Sequence, residues 1–217
     1  MPEYSFQARL IAGVISFAAL CALITHVNVG LTRHPERPLW IELWRIGRYF
    51  TILTTLLVAI LFAKIALTGR LGQAWIAGIT LWTAIVAIVY HVLLARDLSG
   101  LRWYVDQAMH SAIPLAVAAW WLGFAQTARL RYAHAAWWLA WPGVYMAYAL
   151  LRGEIDGRHP YFFIDPPLIG WPKVLMWIPT LALLFWVSGL GVIWIGRRLS
   201  RARPDPEDAG GGDPLPR

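Results

Sequence analysis

The chain has 217 residues, of which 59% are hydrophobic and 14% are charged, and its mean hydropathy is +0.53. A soluble domain is roughly 45–50% apolar and about 25% charged, so this composition predicts a protein that lies mostly within a bilayer. The formal net charge is +7. No basic block interleaves with aromatic residues, so we expect no nucleic-acid partner. The single cysteine, Cys21, excludes an internal disulfide and a cysteine-based metal site.

The apolar stretches predict an all-α integral membrane bundle of six transmembrane helices, because a membrane helix needs about 20 mostly apolar residues. In chain order the predicted spans are Ala8–Gly30, Ile46–Thr68, Gly72–Ala95, Trp103–Gln126, Ala133–Leu151 and Pro172–Gly196. The first is too long for the apolar region of a signal peptide, about 7–15 residues, so we expect it to be retained. Residues 1–202 therefore form one predicted transmembrane domain. The tail at 203–217 is rich in Pro, Gly and Asp, which predicts disorder.

Six spans place both termini on the same side of the membrane. The basic residues of the two sides are nearly balanced, and a cluster beside the last span decides the orientation: Arg197, Arg198, Arg201 and Arg203. Cytoplasmic segments are enriched in Lys and Arg, so both termini are predicted to be cytoplasmic.

Most of the unusual polar residues fall at the ends of the spans opposite the termini. They are Arg45, Arg48, Thr51, His91, Asp106, His110, Tyr148, Arg152, Glu154, Asp156 and Asp165. Ionisable groups within a bilayer are costly and point to function by default. This asymmetry predicts a pocket that opens to one face of the membrane.

The start of the second span carries a helical pattern of polar residues. Trp44, Arg48, Thr51 and Thr55 are spaced by three or four residues and are predicted to share one face. Arg48 would then lie one turn from Thr51, where it stabilises an oxyanion or reaches a lipid phosphate. A structural role remains open for Thr51, Thr54 and Thr55, because threonine hydroxyls in membrane helices often bond to helix carbonyls.

The start of the fourth span carries Asp106 and His110, four residues apart and on one predicted face. A carboxylate in that position orients an imidazole and selects its tautomer. Pro114 lacks the N–H that would bond the His110 carbonyl, so we expect a kink there. The chain enters its second and fourth spans from the same side, so Thr51 and His110 share a depth. This predicts a nucleophile and its general base within hydrogen-bonding reach or one water of each other.

Other interpretations of these residues stay open. His91 ends the third span at the same side, and a His91–His110 pair is a candidate haem or metal site. Tyr148 and Arg152 end the fifth span and are candidates to support the site or bind substrate. The following loop, with its sequence HPYFFIDPP, either caps the pocket or is an ordinary solvated connection. In a non-enzymatic lipid carrier, Arg48 and Arg152 would hold a carboxylate or phosphate.

The segments WRIGRYFTILTTLLVA, WYVDQAMHSAIPL, YMAYALLRG and HPYFFIDPP resemble the bacterial six-span Pr6Pr family. That family is similar to the eukaryotic androgen-induced-gene and androgen-dependent TFPI-regulating proteins, which are membrane threonine hydrolases of fatty acid esters of hydroxy fatty acids. Arg48-Tyr49-Phe50-Thr51 resembles their nucleophile motif, and Met109-His110 followed by Pro114 resembles their histidine motif. Gln107 and Thr54 depart from the eukaryotic pattern.

The resemblance implies a hydrolase of the bacterial cell membrane that needs no cofactor or metal and acts on a membrane lipid or fatty acid ester. Its catalytic residues would be Thr51 and His110. The supporting or substrate-binding residues would be Arg48, Thr55, His91, Asp106, Tyr148 and Arg152.

Overall fold

The computed structural model describes residues 3–125, 127 and 129–202, and within them the chain is helical and contains no strand. In chain order the helices are α1 (Phe6–Arg33), α2 (Leu39–Ile46), α3 (Phe50–Thr68), α4 (Gln73–Val89), α5 (Leu101–Gln107), α6 (Ile113–Phe124), α7 (Ala133–Trp137), α8 (Ala140–Asp156), α9 (Pro166–Ile169) and α10 (Trp171–Ala202). A π-helical turn extends α4 over Tyr90–Leu94, and a second one, Ala108–Ala112, joins α5 to α6. The predicted disordered tail at 203–217 lies outside the described residues.

Four helical stretches are long and apolar enough to cross a membrane: Phe6–Arg33, Phe50–Thr68, Gln73–Leu94 and Trp171–Arg201. They indicate a membrane protein, as the composition predicts. The other two predicted spans are also helical, but each is interrupted. Residues 101–124 pass through a π-helical turn, and residues 133–156 are divided by a turn at 138–139.

The predicted second span is wrong at its start. The chain turns at residues 47–49, after α2 and before α3, so Trp44 and Arg48 share no continuous helical face with Thr51. The physical reason lies in hydrogen bonds from outside the helix. The Gly47 carbonyl accepts a hydrogen bond from the Tyr148 hydroxyl at 3.0 Å. In a continuous helix this carbonyl would have accepted a backbone N–H, so the tyrosine supplies the partner that the turn removes.

Tight packing occupies the end of the bundle that carries the N-terminus. The Trp120 indole is buried edge-on against Phe62 and donates to the Ala8 carbonyl at 2.9 Å. Trp138 is fully buried and lies so close to Gly78 that a Cβ there would come within 2.9 Å of its ring. Helix α4 is the most buried of the four long apolar helices. This dense end holds the helices rigidly, and the cavity opens at the opposite end.

Candidate active site

Thr51 is the second residue of α3, and the turn before it is fixed by α8. Tyr145 and Tyr148 on α8 donate their hydroxyls to the carbonyls of Arg48 and Gly47, at 2.8 and 3.0 Å. These bonds satisfy buried carbonyls that the break between α2 and α3 leaves without helical partners. The position of Thr51 therefore depends on α8, although α8 lies almost a hundred residues further along the chain.

Two buried arginines brace the same turn. The Arg48 guanidinium donates to Asp156 at 3.0 Å and to the Arg158 carbonyl at 2.8 Å. Arg152 donates to the Trp44 carbonyl, lies 3.9 Å from the centroid of the Trp44 ring, and contacts Asp156 at 3.4 Å. Neither arginine lines the cavity. They position the turn that precedes Thr51. They do not line the cavity, where the sequence predicted that they bind a lipid anion or stabilise an oxyanion.

His110 lies within the π-helical turn that joins α5 to α6, where a distortion is expected from Pro114. Pro114 has no N–H to donate to the His110 carbonyl. One residue earlier, the Ile113 N–H donates to the Ala108 carbonyl, five residues back, which is the hydrogen bond of a π-helical turn. The irregularity predicted at Pro114 is thus present as a widened helical turn. Such turns are frequent at functional sites because they redirect one side chain out of the regular helical pattern.

The contacts of the His110 ring select its tautomer. Its Nδ1 lies 2.9 Å from the Asp106 carbonyl oxygen, which can only accept, so Nδ1 carries the proton. The Asp106 carboxylate is also close, with Oδ1 3.4 Å from Nδ1. The Tyr90 ring stacks on the imidazole, with centroids 3.8 Å apart. In the tautomer with its proton on Nδ1, Nε2 is the acceptor.

Thr51 and His110 meet inside the cavity, as the shared depth of the two helix starts predicts. The Thr51 Oγ1 atom lies 3.2 Å from His110 Nε2. Because Nε2 is the acceptor, the threonine hydroxyl donates this hydrogen bond. The predicted proximity of the Thr51 and His110 side chains is therefore confirmed, and their roles as nucleophile and base stay a prediction.

The cavity has a volume of about 510 Å³ and is lined by apolar side chains away from the Thr51–His110 pair. Its apolar wall comes from α4, α10 and the loop before α9, and includes Ile85, Val86, Val89, Phe163, Ile164, Leu181 and Phe185. Pockets of a few hundred Å³ with an apolar lining and a few convergent polar groups are typical of small-molecule sites. This one is large and apolar enough for part of a lipid chain.

Arginines from three separate segments line the cavity toward the connections at this end of the bundle. They are Arg33, Arg37, Arg45, Arg96 and Arg102. Arg45 is paired with the fully buried Glu42, and Arg37 approaches the same carboxylate at 3.8 Å. Within the part of the chain that the structure describes, no ion pair involves Arg33, Arg96 or Arg102. The lining therefore carries an excess of positive charge, which suits an anionic group on a ligand.

The loop between α8 and α9 covers the cavity beside Thr51. The Phe50 N–H donates to the Tyr161 hydroxyl at 3.0 Å, and Tyr161 lines the cavity. Burial raises the pKa of the Tyr161 phenol, while the hydrogen bond from the Phe50 N–H acts in the opposite direction. The loop sequence PYFFIDPP therefore forms part of the site, which agrees with its interpretation as a cap.

Two further residues expected at the site lie apart from it. Thr55 is one turn deeper in α3, is buried and does not line the cavity. His91 is exposed, and its Nε2 lies 2.9 Å from the Ser111 hydroxyl. His110 is already engaged with Thr51, so each imidazole has a different partner. Within the described residues, no cluster of three potential metal-ligating side chains occurs.

Sequence reasoning missed Tyr161 and the cavity arginines as site residues. Tyr161 lies in a connecting loop, where helical periodicity gives no information about depth. Arg33, Arg96 and Arg102 follow or precede apolar stretches and look like ordinary interfacial charges. The one available signal was the aromatic run PYFFIDPP, which is too apolar for a solvated loop.

Comparisons with known proteins give no relative for this chain: no family model, curated protein or solved structure matches it.

Proposed function

We propose that this chain is a membrane-embedded hydrolase that cleaves a lipid ester, with Thr51 as the nucleophile and His110 as the general base. The observation that carries the proposal is the hydrogen bond between Thr51 Oγ1 and His110 Nε2 at 3.2 Å. A weakly acidic hydroxyl becomes a useful nucleophile when an adjacent base takes its proton. The tautomer selected by the Asp106 carbonyl leaves Nε2 ready for that task.

Asp106 has a second role in this mechanism. Its Oδ2 atom is buried and, among the described residues, has no hydrogen-bond partner. A buried carboxylate oxygen without a partner is costly unless a positive charge develops nearby. Deprotonation of Thr51 turns His110 into an imidazolium, and the Asp106 carboxylate beside Nδ1 stabilises that cation.

The reaction would proceed in two halves. Thr51 Oγ1 attacks the ester carbonyl carbon as its proton passes to His110 Nε2. The tetrahedral intermediate then expels the alcohol oxygen, which takes that proton, and leaves an acyl group on Thr51. A water molecule repeats the sequence and releases the carboxylic acid.

The cavity lining supports an amphiphilic substrate that carries a carboxylate. Its apolar wall suits an acyl chain, and Arg96 and Arg102 in the same lining suit a free acid, because guanidinium groups bind carboxylates through paired hydrogen bonds. A fatty acid ester of a hydroxy fatty acid has both parts. The resemblance of Arg48–Thr51 and Met109–His110 to the Pr6Pr family and its eukaryotic relatives supports the same substrate class.

In this proposal the bundle crosses the bacterial cell membrane six times, with 101–124 and 133–156 as the two interrupted spans. Polar residues and π turns interrupt membrane helices where they line a cavity, and His110 lies in such a turn. Arg197, Arg198 and Arg201 at the end of α10 support cytoplasmic termini. The cavity would then open toward the opposite, non-cytoplasmic face.

Covalent labelling of the purified protein with a fluorophosphonate tests the chemistry. The wild type should be labelled at Thr51, and Thr51→Ala and His110→Ala should each lose nearly the whole reaction. The double variant should be little worse than either single one, because the two groups act as a unit. Thr51→Ser should keep labelling, and Thr55→Ala is the matched control. Labelling that persists in Thr51→Ala would refute the assignment.

The cavity also favours a second candidate, a non-enzymatic protein that binds an anionic lipid. Arg48 and Arg152 do not line the cavity, so the anion would be held by Arg33, Arg96 or Arg102 instead. Saturable binding of a fluorescent fatty acid, with no fluorophosphonate labelling and no ester hydrolysis in any lipid condition, would favour this candidate.

A further inference from the structure

The Tyr161 hydroxyl sits at the N-terminus of α3, directly beside Thr51. It accepts the N–H of Phe50, the residue before Thr51, at 3.0 Å, and Tyr161 and Thr51 both line the cavity. A phenol oxygen that accepts one bond still has its own hydrogen to donate. Tyr161 lines the cavity, so that hydrogen is available to a ligand bound against Thr51.

The first turn of α3 adds to the same positive environment. The first four N–H groups of a helix have no acceptor within the helix, and the aligned peptide dipoles leave the N-terminus partly positive. Thr51 is the second residue of a 19-residue helix. Negative charge that develops on the oxygen of a carbonyl attacked by Thr51 Oγ1 is therefore close to both the helix N-terminus and the Tyr161 hydroxyl.

We propose that Tyr161 is a catalytic residue that donates its O–H hydrogen bond to the oxyanion formed when Thr51 attacks a substrate carbonyl. This inference rests on the proposed hydrolase. As Oγ1 bonds to the carbonyl carbon and its proton moves to His110, the carbonyl π electrons move onto the carbonyl oxygen. Tyr161 keeps its proton throughout and only stabilises that oxygen. When the tetrahedral intermediate collapses, the carbonyl re-forms and the hydrogen bond weakens.

The surroundings of Tyr161 keep it a donor. Burial raises the pKa of its phenol, so the hydroxyl stays protonated across the physiological range. The ring of Tyr145 is a neighbour of Tyr161, with centroids 6.5 Å apart. Tyr145 itself donates to the Arg48 carbonyl and so is not a rival donor. Donation of the Tyr161 hydrogen bond to a charged oxyanion is favourable because hydrogen bonds to ionised acceptors are stronger than those to neutral ones.

A purely structural role predicts different behaviour. If the Tyr161 hydroxyl only caps the Phe50 N–H, its removal lowers the free energy of unfolding. The ratio of the affinities for the transition state and for the substrate then stays unchanged. Tyr148→Phe is the matched control for that role. It also removes a hydroxyl that bonds the turn before α3, at the Gly47 carbonyl, but it lies outside the cavity lining.

The decisive experiment compares Tyr161→Phe with Tyr148→Phe and wild type on the palmitoyl ester of a hydroxystearic acid. Tyr161→Phe should lower kcat by about 10²–10³-fold, as for loss of one oxyanion donor, with KM changed less than about threefold. It should weaken binding of a trifluoromethyl ketone, which forms the oxyanion, and leave binding of a non-hydrolysable ether analogue unchanged. Tyr148→Phe, which perturbs only the turn before α3, should change binding of the ketone and of the ether analogue by similar factors.

The outcomes separate this inference from the hydrolase itself. An active wild type with equal kcat in Tyr161→Phe would overturn the role of Tyr161 and leave the hydrolase intact. A wild type that neither hydrolyses the ester nor binds the ketone would overturn both. If Tyr161→Phe does not fold, replacement of Tyr161 by 3,5-difluorotyrosine keeps the hydroxyl but lowers its pKa. It should shift the alkaline limb of the kcat profile to lower pH, and an unchanged limb would refute the assignment.

Discussion

The contact between Gly153 and His159 ties the packing of α8 to the geometry of the proposed site. A Cβ added at Gly153 would lie 2.1 Å from His159 Nε2, whereas ordinary contacts begin near 3.4 Å, so the ring must retreat by about 1.3 Å. The His159 side chain is only 2% exposed, so little free space receives it. Because Tyr161 follows two residues later, Gly153→Ala should displace the residue that caps α3 beside Thr51.

The magnitude follows from two opposing terms. Overpacking of a buried site costs about 1–3 kcal/mol, and replacing a helical glycine by alanine gains about 1 kcal/mol. Gly153→Ala should therefore lower the free energy of unfolding by about 0–2 kcal/mol. A displacement near 1 Å at a catalytic group costs up to about 10²-fold in rate, so we expect a larger loss in ester hydrolysis than in stability.

Thermal unfolding in detergent and ester hydrolysis, measured on the same preparations, test this reasoning. Gly191→Ala is the matched control, because Gly191 is a helical residue with nothing within 4 Å of an added Cβ, and it should be neutral or stabilising with full activity. His159→Ala in the Gly153→Ala background should remove the clash and restore part of the rate. Full hydrolysis in Gly153→Ala would refute the proposed link between this packing and the site. The same loss of hydrolysis in Gly153→Ala with and without His159→Ala would also refute it.

Three further predictions concern other parts of the chain. Thr54→Ala and Thr55→Ala should each keep hydrolysis within about threefold of wild type, because both hydroxyls are buried outside the cavity lining; loss of hydrolysis in Thr55→Ala alone would point to a different nucleophile. The Arg45 guanidinium holds the pKa of Glu42 below its usual value. The pair therefore contributes stability above the pKa of an unfolded glutamate, about 4.3, and loses it as pH falls through the lower folded pKa. Thermal unfolding between pH 7 and 3 should show a steeper acid decline in wild type than in Glu42→Gln, and equal slopes would contradict the pairing. A reporter fused to the C-terminus should report a cytoplasmic location, and a signal from the other face would reverse the proposed orientation.

Helix content and the depth of the polar residues were predictable from sequence because both are local or nearly local properties. A run of about 20 apolar residues specifies a helix of membrane length, and a polar residue near its start has a known depth. Thr51 and His110 could therefore be paired from the amino-acid sequence alone. An irregularity near His110 could be expected in the same way, because Pro114 removes one specific helical hydrogen bond, but the sequence predicted a kink and not a π-helical turn.

The start of α3 could not be placed from sequence, because its break depends on groups distant along the chain. Periodicity favours a continuous helix from Ile46, and the hydroxyls of Tyr145 and Tyr148, about a hundred residues later, satisfy the carbonyls that make the turn possible. Arg48 consequently turns toward Asp156, away from the cavity. A pattern of spacing within one segment carries no information about such partners.

Only the tertiary structure decided which connecting residues complete the site. Tyr161 reaches Phe50 across 111 positions of sequence. Arg33 ends α1, whereas Arg96 and Arg102 lie in and just after the connection between α4 and α5. Hydrophobic periodicity says which face of a helix is buried and how deep a residue lies. It does not say how connections fold over the bundle end, because that arrangement results from long-range packing and hydrogen bonds among residues that are not periodic. The sequence by itself therefore determined the helices and the depth of the Thr51–His110 pair, and the fold determined the cavity around it.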